Sequence, residues 1–381
     1  MLKPLSNHAK EYFESHFDEL YDLIVTMCKI PAPSNHEEKR AEFCREWFEA
    51  MGAKNVYIDD ALNVIYPMGL DEHEELSMYI AHTDTVFPDL EPMNVVRDGD
   101  KLCCPAVGDD TANLAALMMV AKYVTEFGLK PKTGIVFSAN SGEEGLGNLK
   151  GVRKLMETYG NRTREFVSFD GGLSSIVTRA VGSERYRVEV LTEGGHSFSA
   201  FGNRNAIYYL SQMISQLYSI KVPVNGDSKT TFNVGKIEGG TSVNTIAQQA
   251  EMMYEYRSND AGCLAQMREF FNAVIESYRK MGITVNVELI GERPCMGDVD
   301  EARQTVLRDK CTEVLEAVTG KKPNYGSGST DCNIPWSIGV PSACFGVYRG
   351  RGAHTREEYI EVSSLKQGII AAAMLILDNF E

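Results

Sequence analysis

Three short, nearly continuous apolar runs, Leu76 to Ala81, Thr133 to Ala139 and Glu165 to Phe169, stand out in the first part of the chain. Their length and their lack of helical period predict strands covered on both faces. Between the first two, Thr111 to Thr125 (TANLAALMMVAKYVT) predicts a mostly apolar helix, with Asp110 placed to cap its start. Near the far end, Pro341 to Val347 (PSACFGV) predicts another strand of the same kind, followed by a terminal helix from about Ser363. Strands alternating with helices predict an α/β fold, a mainly parallel sheet flanked by helices.

The middle of the chain has a different rhythm. An alternating strand (YRVEVLT) begins after Arg185, followed by a helix from about Asn205 to Leu217 and strands at Thr230 to Ile237 and Ala250 to Arg257. A helix from about Leu264 to Met281 and an alternating strand at Thr284 to Ile290 complete the series. One polar face per strand and two helices predict an open-faced α+β unit. The expected organisation is therefore discontinuous: 1–182 and 292–381 form one domain, and 183–291 form a second domain inserted into it.

The length of 381 residues agrees with two domains, because single cores stop growing near ~250 to 300 residues. The formal charge of −15, without a basic stripe interleaved with aromatics, excludes nucleic acid as a partner. The opening MLKPLSNHAKEYFESHFDEL lacks the apolar core of a secretory signal, and no window reaches the ~18 apolar residues of a membrane span. A cytoplasmic protein with no membrane partner is expected. Nine scattered cysteines without a CxxC pair predict small buried thiols rather than a disulfide framework.

Chemistry gathers where predicted strands end, the place at which open α/β sheets hold their ligands. AHTDTVFP delivers His82 and Asp84, whose i, i+2 spacing on an extended segment lets the carboxylate lie behind the imidazole and fix its tautomer. AVGDDTANLA opens a helix with Asp109 and Asp110. SANSGEEGLGN sets Glu143 and Glu144 between glycines, FVSFDGG places Asp170 after a strand, and GRGAHTREEYIEV places His354 in a loop. His8, His16, His36 and His73 lie in polar or helical surroundings and read as surface residues, unlike His82, His196 and His354. Together His82, Asp109, Glu144, Asp170 and His354 offer two imidazoles and three carboxylates, donors that suit zinc, and five groups can serve two ions if one carboxylate is shared.

The ordered motifs HTDTV, GDDTAN, SGEEG, FDGG, GGHS, SVNTIAQQAEMMYEYR, GSGSTD and AHTREEYIEV span essentially the whole chain. In them the sequence resembles the di-zinc peptidase family that includes peptidase T, dipeptidase V, carboxypeptidase G and aminoacylase. The resemblance implies two Zn2+, with Co2+ or Mn2+ as alternatives, and a zinc-exopeptidase-like catalytic domain. It implies that Asp109 bridges the ions, that His82 and Asp170 share one of them, and that Glu144 and His354 complete the set. Asp84 would orient His82, and Glu143 would be the general base that takes a proton from a metal-bridging water. A cis peptide between Asp109 and Asp110 is also implied.

The inserted domain resembles the family's lid and dimerisation domain. By that analogy His196 of GGHS stabilises the oxyanion across a homodimer interface, Asn244 and Arg257 bind substrate, and GSGSTD, including Gly328, lines the substrate pocket. The GSGSTD stretch lacks the lysine of a phosphate loop. Asp at position 170 favours an aminopeptidase or tripeptidase acting on short peptides. The alternatives are an N-acyl amino acid deacylase or carboxypeptidase of the same family, and an inactive homologue that only binds metal or ligand. Thr111, Ala112 and Asn113 replace the family's usual lysine and glycines, and Ala247 replaces a usual proline, which leaves specificity open.

Overall fold

The computed structural model describes residues 4–381, which separate into two compact units. One comprises the chain up to Ala180 together with Gly297–Glu381, and the other is Val181–Met296.

The first unit is built on an eight-stranded sheet in the order Tyr57–Ile58, Val64–Met68, Gly134–Asn140, Leu76–His82, Thr163–Ser168, Ser342–Cys344, Ser175–Ala180 and Asn324–Gly328. Its centre is parallel: Leu76–His82 pairs in that sense with both Gly134–Asn140 and Thr163–Ser168, and Ser342–Cys344 with Thr163–Ser168. Every residue of Leu76–His82 and Gly134–Asn140 is buried, which accounts for the absence of alternation in their sequences. The register sets His82 opposite Asn140, so both strands end level and release their following loops on the same side. Helix Asn113–Glu126, with eleven buried residues, packs on the Leu76–His82 strand and on the terminal helix Leu365–Leu377.

Two local expectations need correction. Asp110 does not cap the helix. The helix starts at Asn113, and Val107–Ala112 form a widened turn in which Asp109 and Asp110 have non-helical backbone and are joined by a cis peptide bond. The strand expected from Pro341 to Val347 is only Ser342–Cys344. It stops because the chain crosses against Gly171, where a Cβ at Gly346 would lie 1.6 Å from the Gly171 carbonyl oxygen. Phe345 and Val347 nevertheless remain in the core.

The second unit is a four-stranded antiparallel sheet in the order Thr230–Gly239, Gln249–Ser258, Gly182–Leu191 and Thr284–Arg293. Helices Ala206–Leu217 and Ala261–Lys280 cover one face. Ala250, Met252, Tyr254 and Tyr256 point to that face and are buried, whereas Glu251, Met253, Glu255 and Arg257 alternate with them on the other. Phe271 is the centre of this core, stacked on Tyr186 at 4.5 Å and on Tyr254 at 5.5 Å. The strand expected to end at Ile290 pairs on to Arg293, opposite Ser183, so a boundary at 291 would cut it. Among the described residues no helix is long and apolar enough to cross a membrane, and all nine cysteines are free.

Candidate metal centre

The site is assembled from loops that leave the ends of the central strands. His82 is the last residue of its strand, and Thr83 donates to the Asn140 carbonyl through both its backbone N–H (2.7 Å) and its hydroxyl (2.8 Å). The chain then turns so that the Asp84 carboxylate lies 3.5 Å from His82 Nδ1. That carboxylate also accepts the backbone N–H of Glu143 (2.9 Å) and of Glu144 (2.9 Å) and the hydroxyl of Ser34 (2.6 Å). The Asp84 backbone carbonyl meets His82 Nδ1 more closely, at 3.1 Å, so one buried residue fixes both the imidazole and the turn that carries the two glutamates. Burial opposes its ionisation, but His82, Ser34 and the Glu144 N–H hold its pKa below the ordinary value.

Asp109 stands at the centre. Its Oδ1 lies 3.1 Å from His82 Nε2 and its Oδ2 lies 3.1 Å from His354 Nε2, so each oxygen faces a different histidine. His354 Nε2 is also 3.0 Å from Glu144 Oε1. Potential ligand atoms of His82, Asp109, Asp110 and Asp170 lie within 4.8 Å of one another, as do those of Asp109, Glu144 and His354, and those of His82, Glu143 and Glu144. The structure thus brings His82, Asp84, Asp109, Glu143, Glu144, Asp170 and His354 into one cluster. Two imidazoles and several carboxylates form a nitrogen and oxygen donor set of the kind that divalent zinc takes.

Three supporting residues were not assigned a role in the site by the sequence. Glu358, buried, accepts the N–H groups of Ala106 (2.7 Å), Gly108 (2.8 Å) and Asp109 (2.9 Å), and so sets the turn that presents Asp109. Asp110, read as a helix cap, instead accepts the His82 N–H (2.8 Å) and the Asn113 side-chain amide (2.6 Å). Asn113 in turn accepts Val347 N–H (2.7 Å) and donates to the Gly171 carbonyl (3.1 Å), linking the turn to the segments beside Asp170. Only the pairing of Glu358 with His354 in AHTREEYIEV hints at its place.

Of the remaining candidates, Gly328 belongs to the first unit and the others to the second. Gly328 ends an edge strand and approaches Val177 so closely that a Cβ would come within 3.0 Å. Three residues later, buried Asp331 accepts from the side chain of Asn140 at 2.6 Å. His196 and Asn244 belong to the second unit and are neighbours there: His196 pairs with Thr245, and Ser197 N–H donates to the Asn244 carbonyl at 2.9 Å. His196 Nδ1 accepts the N–H groups of Phe198 (3.2 Å) and Ser199 (3.4 Å), which leaves Nε2 to face outward. Arg257 is not with them. It lies eight residues beyond Gln249 on its strand, on the order of 26 Å away, and binds Glu255 through two hydrogen bonds of 2.9 Å.

The electrostatics show surplus negative charge. Burial and the charge of Asp109 push Asp170 up to about 7, and burial likewise raises Asp110. Burial and Asp109 also bring Glu358 to about 7, despite its three N–H donors. Hydrogen bonds to Asp109 and Glu144 lift His354 to about 10. Burial opposes the charged form of Asp109, but the two histidines hold it well below the carboxylate range. Burial likewise opposes the charged imidazole of His82, yet Asp110, Asp109 and Asp84 raise its pKa.

These shifts set a pH dependence for the protein freed of metal by a chelator. Asp170 and Glu358, raised, contribute stability that is complete below the ordinary carboxylate pKa and is lost as pH rises through about 7. His354 contributes stability that is complete below its ordinary pKa and is lost as pH rises towards about 10. The melting temperature, followed by differential scanning fluorimetry, is expected to fall between about pH 5.5 and about pH 8, with Asp170→Asn flattening the fall. A melting temperature that rises over that interval contradicts the assignment.

The chain is similar to several known proteins. The chain is 24% identical over 367 residues to an uncharacterised protein, YqjE, of Bacillus subtilis, covering 91% of this chain and 94% of that one. Its fold is similar to that of a tripeptidase from Staphylococcus aureus, with a TM-score of 0.75 at 22% identity over 94% of this chain and 97% of the other. It is also similar to Bacillus subtilis YxeP, described as a dinuclear metal-binding peptidase, with a TM-score of 0.63 at 16% identity over 96% and 99% of the two chains. Residues 78–378 match the model of peptidase family M20/M25/M40, and with most of its length so matched the chain belongs to that family of hydrolases.

Proposed function

We propose that the cluster binds two divalent cations, zinc by the character of its donors, and that the protein hydrolyses the peptide bond of short peptides with a free amino terminus. The observation that carries this reading is Asp109, whose two oxygens face His82 and His354 separately, as a ligand shared between two ions requires. His82 and Asp170 would join Asp109 around one ion, and Glu144 and His354 around the other. Bound there, the cations would polarise the scissile carbonyl and lower the pKa of the attacking water.

The chain's own residues divide the remaining work. Glu143, buried and held by the Asp84 carboxylate at its N–H, receives a proton from the attacking water and passes it to the leaving amine. Asp84 keeps His82 in the tautomer that presents Nε2 to the cluster. By the family resemblance, His196, with Asn244 beside it, would donate to the oxyanion across a homodimer interface. Phe198, Phe201 and Val243 near the same hairpin are 88%, 90% and 103% exposed, an apolar surface that suits a second copy of the chain in a homodimer. Similarity to the Staphylococcus aureus tripeptidase supports short peptides as substrates, and free thiols support a cytoplasmic setting.

Two outcomes follow. Glu143→Gln is expected to keep its metal, measured by elemental analysis, while kcat falls by roughly 10²- to 10⁴-fold; His354→Ala is expected to lose metal as well as activity, and equal metal loss in both variants contradicts the division of roles. Tripeptides with a free amino terminus are expected to be cleaved and their N-acetylated counterparts spared, as read by amino acid release. Cleavage of the acetylated series alone would identify a deacylase or carboxypeptidase instead.

A further inference from the structure

Arg40 is an almost fully buried cation, 1% exposed, in the first turn of helix Glu38–Ala50. Its guanidinium makes four hydrogen bonds, all to backbone carbonyls: Nη1 to Thr83 (2.9 Å), Nη2 to Met27 (2.8 Å) and Ile30 (2.7 Å), and Nε to Ile30 (3.2 Å). Among the described residues it forms no ion pair with a carboxylate. Removing a guanidinium from water without such a partner is costly, and an apolar side chain of similar volume would fill the same space. The position of the Thr83 carbonyl gives that cost a purpose.

Thr83 is the single residue between His82 and Asp84. Its N–H and hydroxyl are already committed to the Asn140 carbonyl, and its own carbonyl is taken by Arg40. The two peptide units that flank Thr83, between the histidine and the carboxylate behind it, are thus each held. The planar fork suits this task, since one rigid group reaches the carbonyls at the end of helix Phe17–Cys28 and the Thr83 carbonyl together. The neighbouring segment is anchored in the same direction by Thr85 N–H to the Ala32 carbonyl (2.8 Å) and by Ser34 to Asp84 (2.6 Å).

We propose that Arg40 is a positioning residue for the metal centre, which fixes the Thr83 peptide so that His82 and Asp84 keep the relative orientation needed to hold a cation. The inference rests on the reading of the cluster as a cation site. The competing account is that Arg40 only caps the carbonyl end of helix Phe17–Cys28. That role would affect folding stability and leave the metal affinity of the folded protein unchanged.

The test is a Co2+ titration of the chelator-treated full chain, read by the visible d–d absorption of the bound ion, with circular dichroism to establish folding. Arg40→Met is expected to weaken Co2+ binding by roughly 10- to 100-fold and to alter the d–d spectrum, with Arg40→Lys, charged but without the fork, between it and the wild type. If Arg40→Met does not fold, Arg40→Lys decides. Wild-type affinity and an unchanged spectrum in the folded variant overturn the proposal and leave capping as the explanation. Failure of the wild-type chain itself to take up Co2+ would overturn the cation reading and this inference with it.

Discussion

A single half-buried carboxylate, Asp109, set between two imidazoles that approach its two oxygens from different segments, is the interaction on which the rest of the molecule depends. Burial first, and then the repulsion between carboxylates this close together in a medium of low polarity, raises the pKa values of Asp110 and Asp170. The histidines offset part of it at Asp109. A pair of cations would offset the rest, which ties the electrostatics of the protein to its chemistry.

Holding such a cluster requires order beyond the residues that face it. Asp84 bonds the turn of Glu143 and Glu144 while lying behind His82, Glu358 gathers three backbone N–H groups around Asp109, and Asn113 joins that turn to Gly171 and Val347. Apart from the step between His82 and Asp84, each link spans a large interval of sequence, 249 residues between Glu358 and Asp109. The parallel sheet makes this feasible, because strands ending level release their loops together. The polar groups are satisfied in a nearly dry environment, so loss of one disturbs several neighbours.

Much of this was legible in the chain. The central strands announced themselves because full burial on both faces demands apolar runs, and the strands of the second unit because one-sided burial demands alternation, as Ala250, Met252, Tyr254 and Tyr256 show. His82, Asp170 and the two glutamates stood out because polar groups placed directly after such runs must leave the sheet at its ends. Other features were hidden for physical reasons. Asp110 looks like a helix cap in any local reading, and only the widened turn and the distant N–H of His82 give it another task. Glu358 and Arg40 act through backbone atoms far away in sequence, which no spacing records. The early end of the strand at Cys344 follows from the close approach of Gly171 to Gly346, again a contact between separate segments. Arg257 shared a motif with Asn244, yet strand geometry holds the two apart.

The central claim is that Asp109 is shared by two cations. Diffraction from crystals grown with zinc, measured at wavelengths on either side of the zinc absorption edge, tests it most directly. The account predicts two anomalous peaks flanking Asp109, about 3.5 to 4 Å apart, one beside His82 and Asp170 and the other beside Glu144 and His354. A single peak, or peaks with no contact to Asp109, would contradict it.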